Sequence, residues 1–222
     1  MKKSFAVLGL GKFGMSLVRS LNNLGAEVLA VDQNEALVKE IANSCSEAVC
    51  ADLTNEENLN ALGLKDMDVV VVAIGRSLEA NILAVAEAKE QGVPLVVAKS
   101  TSERMTTILR MIGADKVIMP EEYAGNRTAV TLMSESVLDY FQVDDSLCMI
   151  EMKPHSEWVG KTMAELDIRK NYHANVLAEK DADGKWMMAD PERTLQEGSE
   201  LLVLLEQKDL GKFKLRRIPV EM

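Results

Sequence analysis

The chain has 222 residues, enough for one full domain and a smaller second one, and 47% of them are apolar against 27% charged, the balance of a globular protein with a real core. The net charge of −10 excludes the basic footprint of a nucleic-acid binder, and three cysteines without C-x-x-C spacing (Cys45, Cys50, Cys148) offer neither a disulfide framework nor a zinc site. The longest apolar run, Val69 to Ile74, is too short to span a bilayer, so a role at a membrane would have to pass through a partner.

In chain order, the first 120 residues alternate strand and helix. Phe5–Leu8 reads as a strand ending in Gly9, and 13–24 has helical spacing up to Gly25. Val28–Val31 is a second strand closed by Asp32, followed by a helix over 34–42. Ala48–Cys50 and Asp52 form a third strand and its end, and 55–62 is helical up to Gly63. Val69–Ile74 is apolar throughout, as a strand buried on both faces must be. Helices over 78–91 and 102–112 flank a strand at 95–98, and a sixth strand at 116–119 stops at Pro120. Such alternation predicts βαβ units, hence a doubly wound parallel sheet of Rossmann type with its cleft at the strands' carboxyl ends.

Beyond Pro120 the pattern changes. Val130, Met133, Val137, Leu138 and Phe141 fall at helical spacing and predict a crossover helix over 124–141, with 143–146 as a linker. Strands are expected at 147–152, 175–178, 185–188 and 201–205, a short helix at 162–167, and a hairpin turn at 181–184. A small α+β domain follows from these. The expected division is 1–122, 123–143 for crossover helix and linker, and 144–222. The basic cluster Lys212-Phe213-Lys214-Leu215-Arg216-Arg217 reads as a solvated tail, and most of the 13 methionines as core filler.

The chemistry concentrates on Gly9-Leu10-Gly11-Lys12-Phe13-Gly14. This G-x-G-x-x-G follows a strand and opens a helix, and Asp32 stands at the end of the next strand. Gly9 makes the tight turn, Gly11 lets backbone approach phosphate, and Gly14 lets helix and sheet pack closely. The helix N-terminus offers free N–H groups to a phosphate. Asp32 accepts from ribose hydroxyls, and its charge disfavours a 2′-phosphate, so NADP is not expected. Asp52 lies where an adenine edge would sit, Gly75 beside the phosphates, and Arg76 and Lys99 at strand ends where they add positive charge. Phe13, Gln33, Leu53 and Ile74 complete the expected nucleotide wall. A hydride-transfer enzyme also needs a proton-moving group. No Tyr-x-x-x-Lys pair occurs and no histidine lies in the first half, and there is no P-loop G-x-x-x-x-G-K-[ST]. These absences count against an NAD-dependent oxidoreductase on this fold and leave open a regulatory nucleotide-binding protein and a stand-alone nucleotide sensor.

Several segments resemble one family: 9–14, Val31-Asp32, Ala51-Asp52, Ala73-Ile74-Gly75, Ile112-Gly-Ala-Asp-Lys-Val-Ile-Met-Pro-Glu121, Gly160-Lys161-Thr162, Leu166-Asp-Ile-Arg169, Tyr172, Pro191 and 195–201. Over essentially its whole length the chain is similar to the cytosolic RCK subunits of bacterial potassium uptake, of the TrkA and KtrA kind. The resemblance implies a non-enzymatic subunit at the inner face of the cell membrane, built from dimers into an octameric ring on an integral-membrane potassium transporter subunit. ATP/ADP or NAD(H) would switch the ring between conformations. Lys12 stands where the family usually has Arg, keeping the charge without the bidentate fork. The resemblance gives Glu121 a role toward a divalent cation (Mg or Ca); the residues alone read it equally as a carboxylate favoured at a helix N-terminus. It also implies a cyclic di-AMP site made by Met163, Ala164, Asp167, Ile168, Arg169, His173, Asn175 and Pro191.

Overall fold

The computed structural model describes residues 2–75, 77–181 and 183–213. Arg76, and most of the basic cluster at 212–217, therefore lie outside the described residues. The chain divides into two compact units, 1–121 and 122–222.

The first unit runs β1 (Ser4–Leu8), α1 (Lys12–Asn23), β2 (Glu27–Asp32), α2 (Glu35–Ile41), β3 (Glu47–Cys50), α3 (Glu56–Ala61), β4 (Val69–Val72), α4 (Leu78–Glu90), β5 (Leu95–Lys99), α5 (Glu103–Met111) and β6 (Lys116–Ile118). Its six strands are parallel in the order β3-β2-β1-β4-β5-β6. This is the doubly wound Rossmann arrangement, with the order reversing at β1 and β4. The four valines of β4 are all buried, as the run of branched residues demands of a central strand. Helices cover both faces and close two cores. Met15, Val18, Val38 and Ile41 pack on one side of the sheet, and Leu59, Ala84, Val85 and Leu109 on the other.

The second unit follows α6 (Pro120–Leu132), which spans the division, with β7 (Val137–Gln142), β8 (Leu147–Met152), α7 (Met163–Leu166), α8 (Ile168–Tyr172), β9 (Ala174–Lys180), β10 (Trp186–Met188) and β11 (Glu200–Glu206). An antiparallel sheet in the order β10-β9-β11-β8-β7 buries alternate residues against α7, α8 and a terminal 3-10 segment over 207–213. Trp158 and Phe213 are among its largest fully buried side chains.

Two expectations for the join are corrected. The helix expected over 124–141 ends at Leu132, and Val137–Gln142 is a strand paired with β8. Ser134 ends the helical stretch by accepting from the Val137 N–H, and the β-favouring Val137 and Tyr140 bury into the sheet's core. The stretch 143–146 is a hairpin turn between β7 and β8 rather than a linker. Asp144 Oδ1 accepts from the N–H groups of Ser146 and Leu147, the local bonding that makes aspartate a turn residue. The methionines split. Met15, Met105, Met152 and Met163 fill cores, while Met111, Met133 and Met188 are exposed. All three cysteines are free.

Candidate functional site: the cleft at the Gly-rich loop

The loop after β1 is shaped by two glycines in mutual contact. Gly9 adopts a φ of 102°, in the range L side chains rarely enter. A Cβ on Gly14 would lie 1.9 Å from the Gly9 carbonyl oxygen, so only glycine lets α1 sit this close to the loop. The neighbouring strands pin the turn, with the Gly9 N–H donating to Val31 O at 2.8 Å and the Ala73 N–H to Leu8 O at 2.7 Å. Gly11 precedes α1 without a capping side chain, and the first turn of α1 holds no acidic residue. Its N–H groups and positive dipole end are therefore left for an anionic ligand.

Asp32 closes β2 beside this turn. Its Oδ2 accepts from the Leu10 N–H at 2.7 Å and its Oδ1 from the Asn34 N–H at 2.8 Å. One carboxylate thus orders the Gly-rich loop and the start of α2, and each oxygen keeps a lone pair for a hydroxyl. Asp52 does the same locally, accepting from the N–H and hydroxyl of Thr54, which hold its carboxyl below the usual carboxylate range.

A cavity of about 1070 Å³ opens over these strand ends. Gly9, Gly11, Lys12, Phe13, Asp32, Gln33, Asp52, Leu53, Ile74, Gly75 and Lys99 all line it; Gly14 lies behind the loop, against Gly9. Several further wall residues were not singled out in the sequence, Ser16, Asn34 and Ser77 among them. Asn34 and Ser77 carry a signal, since each caps a helix, α2 and α4, by accepting from a backbone N–H. Glu121 belongs to this cavity too, on the first turn of α6, with its Oε1 bonded to the Lys99 ammonium.

The residues expected to bind a second ligand occupy the second unit. Met163 and Ile168 are 8% and 4% exposed and pack into its core, because the short helices α7 and α8 turn their apolar positions inward. Ala164 donates its N–H to the Pro191 carbonyl at 2.9 Å. Asp167 and His173, at φ of 44° and 54°, form the left-handed joints on either side of α8. Arg169 and Asn175 are exposed on α8 and β9. His173 Nδ1 lies 3.0 Å from Lys212 Nζ and 3.4 Å from Asp209 Oδ1. A second cavity, of about 780 Å³, is lined instead by Trp158, Gly160, Lys161, Glu165, Asn171 and Tyr172, among others, and none of the eight expected residues lines it.

Comparison with known proteins places both units. The TrkA-N domain family matches residues 5–120 and the TrkA-C domain family residues 147–216. The chain is 37% identical to the Ktr system potassium uptake protein C of Bacillus subtilis, covering 97% of this chain and 98% of that protein. It is 38% identical to the Ktr system potassium uptake protein A of Vibrio alginolyticus, covering 94% and 95%. Among solved structures, the fold resembles the GsuK channel bound to NAD, with a TM-score of 0.66 at 17% identity over 100% of this chain and 41% of that one. The TrkA-N domain of the Escherichia coli inner membrane protein ybaL gives 0.52 at 21% identity, over 60% of this chain and 97% of that one. These relatives, and the Ktr system potassium uptake protein A of Bacillus subtilis at 34% identity over 96% of this chain and of that protein, are named for potassium uptake and not for a catalysed reaction. The chain belongs to the family of Ktr potassium-uptake proteins built from a TrkA-N and a TrkA-C domain.

Proposed function

We propose that this protein is the nucleotide-sensing regulatory subunit of a potassium transporter, assembling from dimers into an octameric ring on the cytoplasmic face of an integral-membrane partner. The observation that carries the reading is the cleft. A Gly-rich turn, an uncapped helix N-terminus and an ordered Asp32 are all present in a chain of the Ktr family. Among the described residues no helix is long and apolar enough to cross a membrane, which fits action through a partner.

In this reading the first unit takes ATP/ADP or NAD(H), the second unit takes a second ligand such as cyclic di-AMP, and α6 relays between them. A ligand shifts the ring only by binding its two conformations unequally. Of the second-ligand residues, Arg169 and Asn175 are exposed, while Met163 and Ile168 would have to leave the core to touch a ligand. A resident divalent cation does not fit one chain. Glu121 is neutralised by Lys99, and among the described residues no three His, Cys, Asp or Glu side chains gather as a metal-holding group.

Calorimetric titration with ATP, ADP, NADH and cyclic di-AMP, paired with native mass spectrometry, tests the proposal. Binding of at least one nucleotide, its loss in Asp32→Ala, and a ring-sized assembly are expected. A strictly monomeric protein, or unchanged nucleotide affinity in Asp32→Ala, overturns it.

A further inference from the structure

Glu179 is a carboxylate turned into the core of the second unit, and a break in strand register puts it there. The core-facing residues of β9 are first Ala174 and Val176, opposite Leu205 and Val203 of β11. The pairing then shifts between Leu202 and Val203, which gives β9 one extra residue and flips its alternation. Glu179 comes to lie opposite the fully buried Leu201 of β11 and Met187 of β10, and is 3% exposed. Its Oε2 receives no hydrogen bond from any described residue. Its ion-pair partner, Arg193 Nη1, stands 3.7 Å from that oxygen, beyond hydrogen-bond reach. Burial pushes the Glu179 carboxyl above the usual carboxylate range; Arg193 opposes this, and the charges of Asp181 and Asp190 add to it.

Arg193 belongs to the segment that crosses from β10 to β11. Residues 190–193 make a turn: the Arg193 N–H donates to the Asp190 carbonyl at 3.0 Å, and Asp190 Oδ1 accepts from the Glu192 N–H at 3.1 Å. Backbone bonds hold the segment in place, from the Ala189 N–H to Leu177 O at 3.1 Å, from the Ala164 N–H to Pro191 O at 2.9 Å and from the Leu195 N–H to Lys161 O at 2.9 Å. The Arg193 side chain reaches from this turn to Glu179 and to the Met187 sulfur, 3.8 Å away, yet stays 38% exposed. It can therefore leave Glu179 for water without breaking a backbone bond. Ionised Glu179 needs the guanidinium, because a buried charge without a counter-ion is costly. Protonated Glu179 does not need it. Among the described residues, the charged groups acting on Glu179 are Arg193 and Asp190 from the turn and Asp181 just past β9, while β10 and β11 present Met187 and Leu201.

We infer that Glu179 and Arg193 form a proton-responsive latch in the second unit: ionised Glu179 holds the 190–193 turn against the sheet, and protonation frees Arg193 to solvent and loosens the turn. The device is independent of which ligand either unit takes. Its effect on stability has one sign. A carboxyl raised in the folded state binds its proton more tightly there than in the unfolded chain. The stabilisation it gives is fully present below the ordinary glutamate value and is lost as pH rises through the raised one. Acid therefore loosens the turn while it steadies the core beneath, two effects of opposite sign from one proton.

The test compares full-length wild type, Glu179→Gln and Arg193→Ala between pH 8 and pH 5. Amide hydrogen exchange, corrected for its intrinsic pH dependence, is read over residues 189–195. Urea unfolding is followed by tryptophan fluorescence, which reports the second unit through Trp158 and Trp186. Glu179→Gln mimics the protonated carboxyl in size and charge. At pH 8 it should speed exchange over 189–195 about two- to fivefold, the scale of a partly exposed ion pair, with a urea midpoint no lower than that of the wild type. Wild-type exchange there should rise toward the Glu179→Gln rate as pH falls, and the Glu179→Gln rate should not rise. Arg193→Ala leaves an ionised Glu179 without its cation, so it should lower the midpoint at pH 8 and lose much of that deficit at pH 5. Arg193 is partly exposed, so this variant keeps the test decisive even if Glu179→Gln folds poorly. Unchanged or slower exchange in Glu179→Gln, or an Arg193→Ala deficit equal at the two pH values, overturns the latch and leaves Glu179 as a packing residue only.

Discussion

At the scale of single residues, the cleft divides into positions whose role the sequence shows and positions whose partners it hides. Gly9, Gly11 and Gly14 are legible because their spacing states a backbone requirement, and the structure supplies its size in the 1.9 Å approach of a Gly14 Cβ to the Gly9 carbonyl oxygen. Gly14→Ala must therefore move either α1 or the loop. A loss of about 2 kcal/mol or more in urea unfolding of the first unit is expected, within the range of backbone and overpacking defects. A Gly14→Ala protein as stable as the wild type would show that the loop relaxes freely. The position of Asp32 at the end of β2 beside the Gly-rich turn was legible, but its bonds to the Leu10 and Asn34 N–H groups were not, since they depend on how two loops meet in space. The Lys99–Glu121 pair was hidden for the same reason. Its members are 22 residues apart in sequence and meet only because β5 and β6 are neighbours in the sheet.

At the scale of elements, the first unit was readable because each helix and strand is local and closed by a turn residue. The join to the second unit was not. Val130, Met133, Val137, Leu138 and Phe141 satisfy a helical period, yet the same stretch holds β-favouring Val, Tyr and Phe. Pairing with β8, a tertiary fact, decides between the two. The outcome creates an ion pair that also reports on pH. Arg127 on α6 bonds both oxygens of Asp139 on β7 and lies 5.4 Å from the centre of the Phe141 ring. Arg127 holds the Asp139 carboxyl below the usual carboxylate range, so the unfolded chain binds this proton more readily than the folded one. The stabilisation is thus complete above about pH 4, the ordinary aspartate value, and is lost as pH falls below it. Arg127→Ala should lower stability modestly at neutral pH, since the guanidinium is over half exposed, and leave it unchanged well below pH 4, so that the acid limb of a stability-against-pH curve flattens. An acid limb as steep as that of the wild type would assign the sensitivity to other carboxylates.

At the scale of the whole molecule, the two units have separate sheets and separate cores, and this sets how ligands act on stability. A ligand that binds a folded unit stabilises that unit by mass action, about 2.7 kcal/mol at one hundred times its dissociation constant. Both tryptophans, Trp158 and Trp186, lie in the second unit, so their fluorescence reports that unit while calorimetry reports both. Two outcomes distinguish independent units from coupled ones. If the units unfold independently, a nucleotide should raise a calorimetric transition that tryptophan fluorescence does not follow, and a ligand of the second unit should raise the transition that it does follow. If a nucleotide instead shifts the fluorescence transition by the same increment, binding energy is crossing α6, as a relay requires and as two unconnected modules forbid. Composition and motif gave no access to this distinction. It depends on whether binding energy crosses α6, a helix without one buried residue, and the ligand-dependent shift measures that directly.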